Sequence, residues 1–389
     1  MKHRILYVLS SLGTGGTCRA LQNTLNLFDT DKYQVDVFVM VHDGLYNGEF
    51  KNCNVLKPDY LLSVACPSYY TLKGINKLVG YSIKFFNKLF NKRLVRLLMK
   101  RKVNALIKKN EYDALVAYSE GLPTYFVSEA EHSNKIAWIH CDYKNYLQMI
   151  DVQEHSIYER FTKIICVSDF TRKTFVDVYP DLAFKTHFIY NVLDVNYIRK
   201  MSLEPYSPSY GNDVVNIISV GRIDPVKRFS SIPAIADLLR TKHSFRWYIL
   251  GPAVGNNEEY LLLMENIKKY NVHNEIILLG EKSNPYPYIA NADILACTSV
   301  SEACPYVINE AKILDIPVVC TNFGSSYEFI SDNENGLIVS LDKFHVALDK
   351  LMDNRNLYDC LKSNLEFFHY DNEKILSSIY SLFSKKRSE

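Results

Sequence analysis

Short apolar runs rich in β-branched and aromatic residues punctuate the chain, each ending in a small or polar residue and each followed by a segment of helical periodicity. RILYVLSSL reads as a buried strand, GTGGTCRALQNTLNLF as a glycine loop opening a helix, and YQVDVFVMV as a second strand. YDALVAYS, KIAWIH, KIICVS and THFIYN continue the series to about residue 193. A polar stretch at 202–213, SLEPYSPSYGND, has the composition of a connection between domains. The alternation then restarts with VVNIISVG, a helix around SSIPAIADLL, FRWYILG, EIILLG, DILACT and IPVVCT. Strands alternating with helices predict parallel sheets covered on both faces. The pattern therefore predicts an α/β protein with two Rossmann-like, doubly wound domains, residues 1–193 and 194–365, and a ligand cleft between them at the C-terminal ends of the strands. Residues 366–389 are expected to form a helix that packs back on the first domain.

Length agrees with this division, since 389 residues exceed what one hydrophobic core usually organises. With 48% hydrophobic and 23% charged residues, the composition is that of a globular protein and excludes disordered or fibrous classes. The nine cysteines show no CxxC pair and no metal-ligand spacing, so they are expected to be reduced core thiols of a cytoplasmic protein. The run ILYVL after MKHR is too short for a secretory signal, and no stretch reaches the roughly 20 apolar residues of a membrane span.

Candidate chemistry concentrates in residues 301–319, SEACPYVINEAKILDIPVV. DILACT is the preceding strand, Glu302 lies in the loop, and Pro305 suits the first helical position because its missing N–H is not needed there. The N–H groups near Cys304, Pro305, Tyr306 and Val307 would then form a mouth for an anion or hydroxyl. Glu310 follows about a turn and a half into the helix. Two fixed carboxylates beside such a mouth suit hydrogen bonding to vicinal hydroxyls. A solvated loop glutamate and a helix-surface glutamate would be the ordinary alternative.

EACPYVINE resembles the E-x7-E signature of retaining GT-B glycosyltransferases, specifically glycosyltransferase family 4, with Ala303 where the family usually has glycine. VGRIDPVKRF resembles that family's G-R-x4-K element, placing Gly221 at a strand end with Arg222 and Lys227 beyond it. ICVSDFTRKTF and IYNVLD, with Asn191 and Asp194, resemble its elements at the end of the first domain. The resemblance implies that Arg222 and Lys227 hold the donor diphosphate, Glu302 contacts the donor sugar and Glu310 holds the ribose. It also implies a retaining reaction by same-face attack, with donor phosphate oxygen taking the acceptor proton and no side-chain nucleophile. Nucleotide-sugar 2-epimerases share this architecture, and a catalytically inactive nucleotide-binding protein is a third class.

In the first domain Gly13, Gly15 and Gly16 let backbone approach a phosphate or sugar, although Cys18 stands where a dinucleotide fingerprint has its third glycine. His140, at the end of KIAWIH, resembles the family's histidine near the reacting sugar; a structural strand-end histidine is the alternative. The Asp29-Thr30-Asp31 match to a metal-binding DxD lies at the wrong end of a βα unit, so no metal and no cofactor is expected beyond the nucleotide diphosphate sugar donor. Residues 73–109 hold twelve Lys and Arg and no Asp or Glu, while the whole chain is only +2. Lys84, Lys88, Lys92, Arg96 and Lys100 recur every four residues beside Phe85, Phe86, Leu89 and Phe90. This window is expected to attach the protein to an anionic membrane surface at the inner face of the cell membrane, in preference to core packing or nucleic-acid binding. A lipid-linked or saccharide acceptor for surface polysaccharide is the expected partner.

Overall fold

The computed structural model describes residues 2–12, 16–41, 50–66, 72, 74–90, 93–150, 153–211, 213–253 and 258–383. The chain divides into two compact units, Met1–Asp194 with Asp371–Glu389, and Val195–Tyr370. The first unit holds seven parallel strands, β1 (His3–Ser11), β2 (Tyr33–Val41), β3 (Asn54–Val55), β4 (Ala114–Ala117), β5 (Lys135–Ile139), β6 (Lys163–Cys166) and β7 (Thr186–Phe188), in the order β3-β2-β1-β4-β5-β6-β7. The second holds β8 (Val215–Val220), β9 (Phe245–Leu250), β10 (Ile276–Gly280), β11 (Ile294–Cys297), β12 (Val318–Thr321) and β13 (Gly336–Val339), in the order β10-β9-β8-β11-β12-β13.

Both orders reverse direction after their first strand, between β1 and β4 and between β8 and β11. Such a switch point leaves a crevice beyond the strand C-termini, because the helices on its two sides lie on opposite faces of the sheet. Each unit is Rossmann-like, with parallel sheets of seven and six strands. Runs such as Ile5–Leu9 and Leu115–Ala117 are buried along their length, as strands covered on both faces must be.

Residues 202–213 do not join the units. The chain passes between them at Asp194–Val195, and the 202–213 stretch lies inside the second unit. Tyr206 and Tyr210 explain the difference. Tyr210 stacks on Tyr248 with ring centroids 4.0 Å apart, and Tyr288 Oη donates to the Ser207 carbonyl at 2.6 Å. Proline, serine and glycine mimic linker composition, but aromatic packing holds this segment down.

The cysteines also divide. All nine are free thiols, yet only Cys18, Cys166, Cys297 and Cys320 are buried, and Cys360 is exposed. Asp29 and Asp31 form a turn, with Asp29 Oδ1 accepting the Asp31 and Lys32 amides and Oδ2 pairing with Lys32 Nζ at 3.0 Å.

Candidate functional site

In the second unit the switch point is formed by the chain leaving β8 and the loop leaving β11. Gly221 follows β8 with φ +155°, and a Cβ there would come within 3.0 Å of Lys227 Cε. At Gly251, φ +149°, a Cβ would lie 1.9 Å from the Gly221 carbonyl oxygen. Both positions need glycine for conformation and for space, and together they let two backbones close at the strand ends. Asp224 then organises a turn, accepting the amides of Val226 and Lys227 on Oδ1, each at 3.1 Å. That turn swings Lys227 back toward β11.

Lys227 Nζ meets Glu302 Oε1 at 2.5 Å, and the two side chains retain only 19% and 13% of their surface. Glu302 is fixed twice more, by Ser299 Oγ donating to the same oxygen at 2.6 Å and by Ser325 Oγ donating to its carbonyl at 2.6 Å. Thr298 Oγ1 donates to the Lys227 carbonyl at 2.8 Å, so the partners are tied through main chain as well. Burial works against the Lys227 charge, but Glu302 beside it outweighs burial and leaves its pKa above the ordinary lysine value. Arg222 differs: its side chain is largely exposed and meets Asp224 Oδ2 at 3.3 Å.

The helix after this loop runs from Tyr306 to Ile313. Pro305 is its N-cap residue in an extended conformation, one position earlier than expected, because its carbonyl already accepts the Asn309 amide. No side chain caps this end. Cys304, Pro305, Tyr306 and Val307 thus surround a helix terminus whose partial positive charge favours an anion. Glu310 is 2% exposed and accepts Tyr286 Oη at 3.4 Å. The two glutamates of the 301–319 stretch therefore have different surroundings, one tied to a cation and one to a phenol. Ser299 and Ser325 escaped the sequence reading because neither belongs to the spaced motif.

In the first unit Gly16 opens the helix Gly16–Asn26, whereas Gly13 and Gly15 lie outside the described residues. His140 follows β5, with its ring edge-on to Tyr118 at 4.8 Å between centroids. Burial drives its pKa down to about 3, so the imidazole is neutral. Its Nε2 is buried without a hydrogen-bond partner among the described residues. Glu120, in the loop after β4, accepts the backbone amides of His140 and of Cys141, the latter at 3.0 Å. Among the described residues His155 with Glu159 and Asp181, and His243 with Asp349 and Asp353, are the groupings with metal-ligand proximity. In both, the two ring nitrogens meet separate carboxylates, an arrangement ion pairing accounts for.

Residues 210–366 match the family described as Glycosyl transferases group 1. The chain is 26% identical over 333 residues, 85% of its length and 84% of the relative's, to the N-acetylgalactosamine-N,N'-diacetylbacillosaminyl-diphospho-undecaprenol 4-alpha-N-acetylgalactosaminyltransferase of Campylobacter jejuni. It is 26% identical over 184 residues, 46% of this chain and 50% of the relative's, to the amylovoran biosynthesis glycosyltransferase AmsD of Erwinia amylovora. Among solved structures, HepE of Anabaena in complex with UDP superposes with a TM-score of 0.69 at 16% identity, covering 98% of this chain and 99% of that one. The likeness to group 1 glycosyltransferases thus falls on the second unit, and the solved structures share the GT-B fold over nearly the whole chain. The first of these relatives is named for a diphospho-undecaprenol-linked acceptor and the second for amylovoran biosynthesis.

Proposed function

We propose that this protein is a retaining, metal-independent glycosyltransferase that moves a hexose or N-acetylhexosamine from a nucleotide diphosphate sugar to a lipid-linked or saccharide acceptor of a surface polysaccharide. The observation that carries the reading is the Lys227–Glu302 pair at the β8/β11 switch point, beside an uncapped helix terminus. Glycosyl transfer from a diphosphate needs positive potential where the leaving phosphate gains charge, and a nearly buried ammonium with an adjacent helix N-terminus supplies it without reorganisation. Arg222, exposed and only loosely paired, adds a second cation that is free to swing. Glu302 carries two jobs on two oxygens: Oε1 holds Lys227, and Oε2 takes a sugar hydroxyl. Glu310 with Tyr286 receives the ribose hydroxyls, and Gly221 gives the diphosphate a path without a Cβ. His140 acts as a neutral hydrogen-bonding group toward a sugar hydroxyl. The departing phosphate oxygen accepts the acceptor proton, so no side chain is assigned as nucleophile.

A direct test is incubation of purified protein with labelled UDP-, GDP- and ADP-sugars and a polyprenyl-diphosphate-linked saccharide, followed by anomeric analysis of the product. An α-linked product from an α-linked donor, formed in excess chelator, is expected. Inverted product, or sugar epimerised without acceptor, overturns the assignment.

The acceptor side of the proposal rests on two basic helices that behave differently. In Gly74–Leu89 the outward stripe is apolar: Ile75 is 72% exposed, Phe85 61% and Leu89 62%, and only Gly80 of this helix is buried. Its Lys77 and Lys88 form no ion pair among the described residues. In Arg93–Asn110, Met99 and Val103 pack into the core, and Arg96, Lys100 and Lys102 pair with Glu129, Glu131 and Asp59. Among the described residues no helix is long and apolar enough to cross a membrane. The first helix therefore has both the exposed aromatic stripe and the unspent charge that attachment to an anionic leaflet requires, at about 1 kcal/mol per charge near the surface. Sedimentation with anionic vesicles should be lost on Lys77→Gln, Lys84→Gln and Lys88→Gln together, and hardly altered by the same change at Arg96, Lys100 and Lys102. Equal binding to neutral vesicles, or no binding, refutes this part.

A further inference from the structure

The reaction assignment leaves a carboxylate of the first unit without a role. Glu120 lies beyond β4, on one flank of the β1/β4 switch point, where the topology opens the crevice of that sheet. Gly121 follows with φ +73°, turning the chain sharply into the helix Leu122–Ser128, so Glu120 sits at the apex of the bend. From there it reaches across to the neighbouring strand β5, where its Oε1 accepts two consecutive backbone amides, those of His140 and Cys141. Two successive amides converging on one oxygen form a small anion-binding concavity, here filled by the protein's own carboxylate.

This contact is an expensive way to pin a loop. Burial holds the Glu120 pKa above the ordinary carboxylate value even though backbone amides and the Cys141 thiol pull the other way, and no cation pairs with it among the described residues. Its effect is to fix the peptide on which His140 is carried. Tyr118, which leads into the same bend, packs edge-on against that imidazole, so one loop holds both the backbone and the ring of His140. The ring so held is neutral, with one nitrogen unspent.

We infer that Glu120 is a positioning residue: the β4 loop clamps the His140–Cys141 peptide through the Glu120 carboxylate and thereby aims the His140 imidazole at a substrate hydroxyl. The function assigned to His140 rests on the glycosyltransferase reading; the clamp itself does not. The clamp predicts that Glu120 acts only through His140, and that an uncharged oxygen of the same reach preserves it.

The experiment has two readouts on the full chain. In amide hydrogen exchange, Glu120→Ala should release the His140 and Cys141 amides by at least about tenfold while the β4 and β5 amides stay protected, and Glu120→Gln should restore them. In turnover with a sugar donor and acceptor, Glu120→Ala should lower kcat about 10- to 100-fold with the affinity for free nucleotide diphosphate unchanged. Glu120→Gln should stay within about fivefold of the parent, and Glu120→Ala combined with His140→Ala should be no worse than His140→Ala alone. Unchanged exchange in Glu120→Ala overturns the clamp. Multiplying losses in the double variant, or Glu120→Gln as damaged as Glu120→Ala, overturn action through His140. Exchange behaving as expected while no variant, parent included, transfers sugar would refute the reaction class and leave the clamp standing.

Discussion

The two switch points solve the same topological problem with opposite electrostatics. At β8/β11 a lysine and a glutamate are sealed together at 2.5 Å, and the lysine keeps its charge because its partner is charged. At β1/β4 the glutamate is met by backbone amides and a thiol, with no cation, and the histidine beside it is stripped of its proton by burial. The contrast teaches that a doubly wound sheet delivers a crevice and nothing more; the side chains at its lip decide whether it welcomes phosphate or hydroxyl. A permanent cation suits a diphosphate, whose charge grows as it leaves. A neutral imidazole suits a sugar hydroxyl, which it can orient without competing for the anion.

Breaking the charged edge should have the largest effect. Lys227→Ala is expected to lower kcat by about two to three orders of magnitude, since the proposal puts the ammonium where charge develops. It also leaves Glu302 nearly buried beside Ser299 with no cation, so thermal stability should fall. Adding Glu302→Gln should recover stability without recovering turnover. Normal turnover in folded Lys227→Ala would remove the charged edge from the reaction.

Next in size is the effect expected at Glu310, to which the proposal gives the ribose. Glu310→Ala should weaken nucleotide diphosphate binding about tenfold or more, the worth of a hydrogen bond to a buried carboxylate, with a smaller change in kcat. Calorimetry measures this directly. Normal binding would remove the carboxylate from the nucleotide site.

The neutral edge is sharpened by pH. Unfolded, His140 binds a proton below about pH 6.5, whereas in the folded protein it stays neutral down to about 3. The unfolded state therefore takes up protons that the folded one refuses. The stability associated with this site is fully present above pH 6.5 and is lost as pH falls toward 3. His140→Asn should flatten that slope, read as the urea midpoint at pH 7 and pH 5. An unchanged slope would place a charged imidazole at this edge and erase the contrast.

The smallest effect is expected away from both edges. Asp29→Asn with Asp31→Asn should leave turnover in excess chelator unaltered, because Asp29 is already spent on the Lys32 turn. Loss of activity restored by manganese would add a metal to the charged edge.

Much of the charged edge was legible in the sequence because its parts are local. Gly221, Arg222 and Lys227 fall within one turn after a strand, and Glu302 and Glu310 share a loop and helix, so spacing along the chain equals spacing in space. The neutral edge was half legible: His140 announces itself at a strand end, but Glu120 sits twenty positions earlier in an unremarkable YSEG. Only the pairing of β4 with β5 brings the two together. The basic window shows a similar limit. Periodicity revealed amphipathic helices, but whether an apolar stripe faces core or solvent depends on what lies opposite, and Gly74–Leu89 and Arg93–Asn110 differ in that respect. Residues 202–213 misled for the converse reason, since composition cannot reveal that Tyr210 has Tyr248 to lie on.

Unit one is assembled from both ends of the described chain. Tyr380 stacks on Tyr33 at 4.7 Å and nearly parallel, its hydroxyl accepts the Asp29 amide at 2.8 Å, and Phe383 is fully buried with its ring edge toward Tyr7. Asn372 closes the seam by exchanging hydrogen bonds with both backbone groups of Leu193. During synthesis, then, the second unit has all its strands before the first has its last helix. Residues Phe28 and Tyr33 wait uncovered while the whole of the second unit, Val195–Tyr370, is made. Vectorial folding here runs middle first, and a nascent chain halted short of Asn372 would expose an aromatic face that a chaperone must shield.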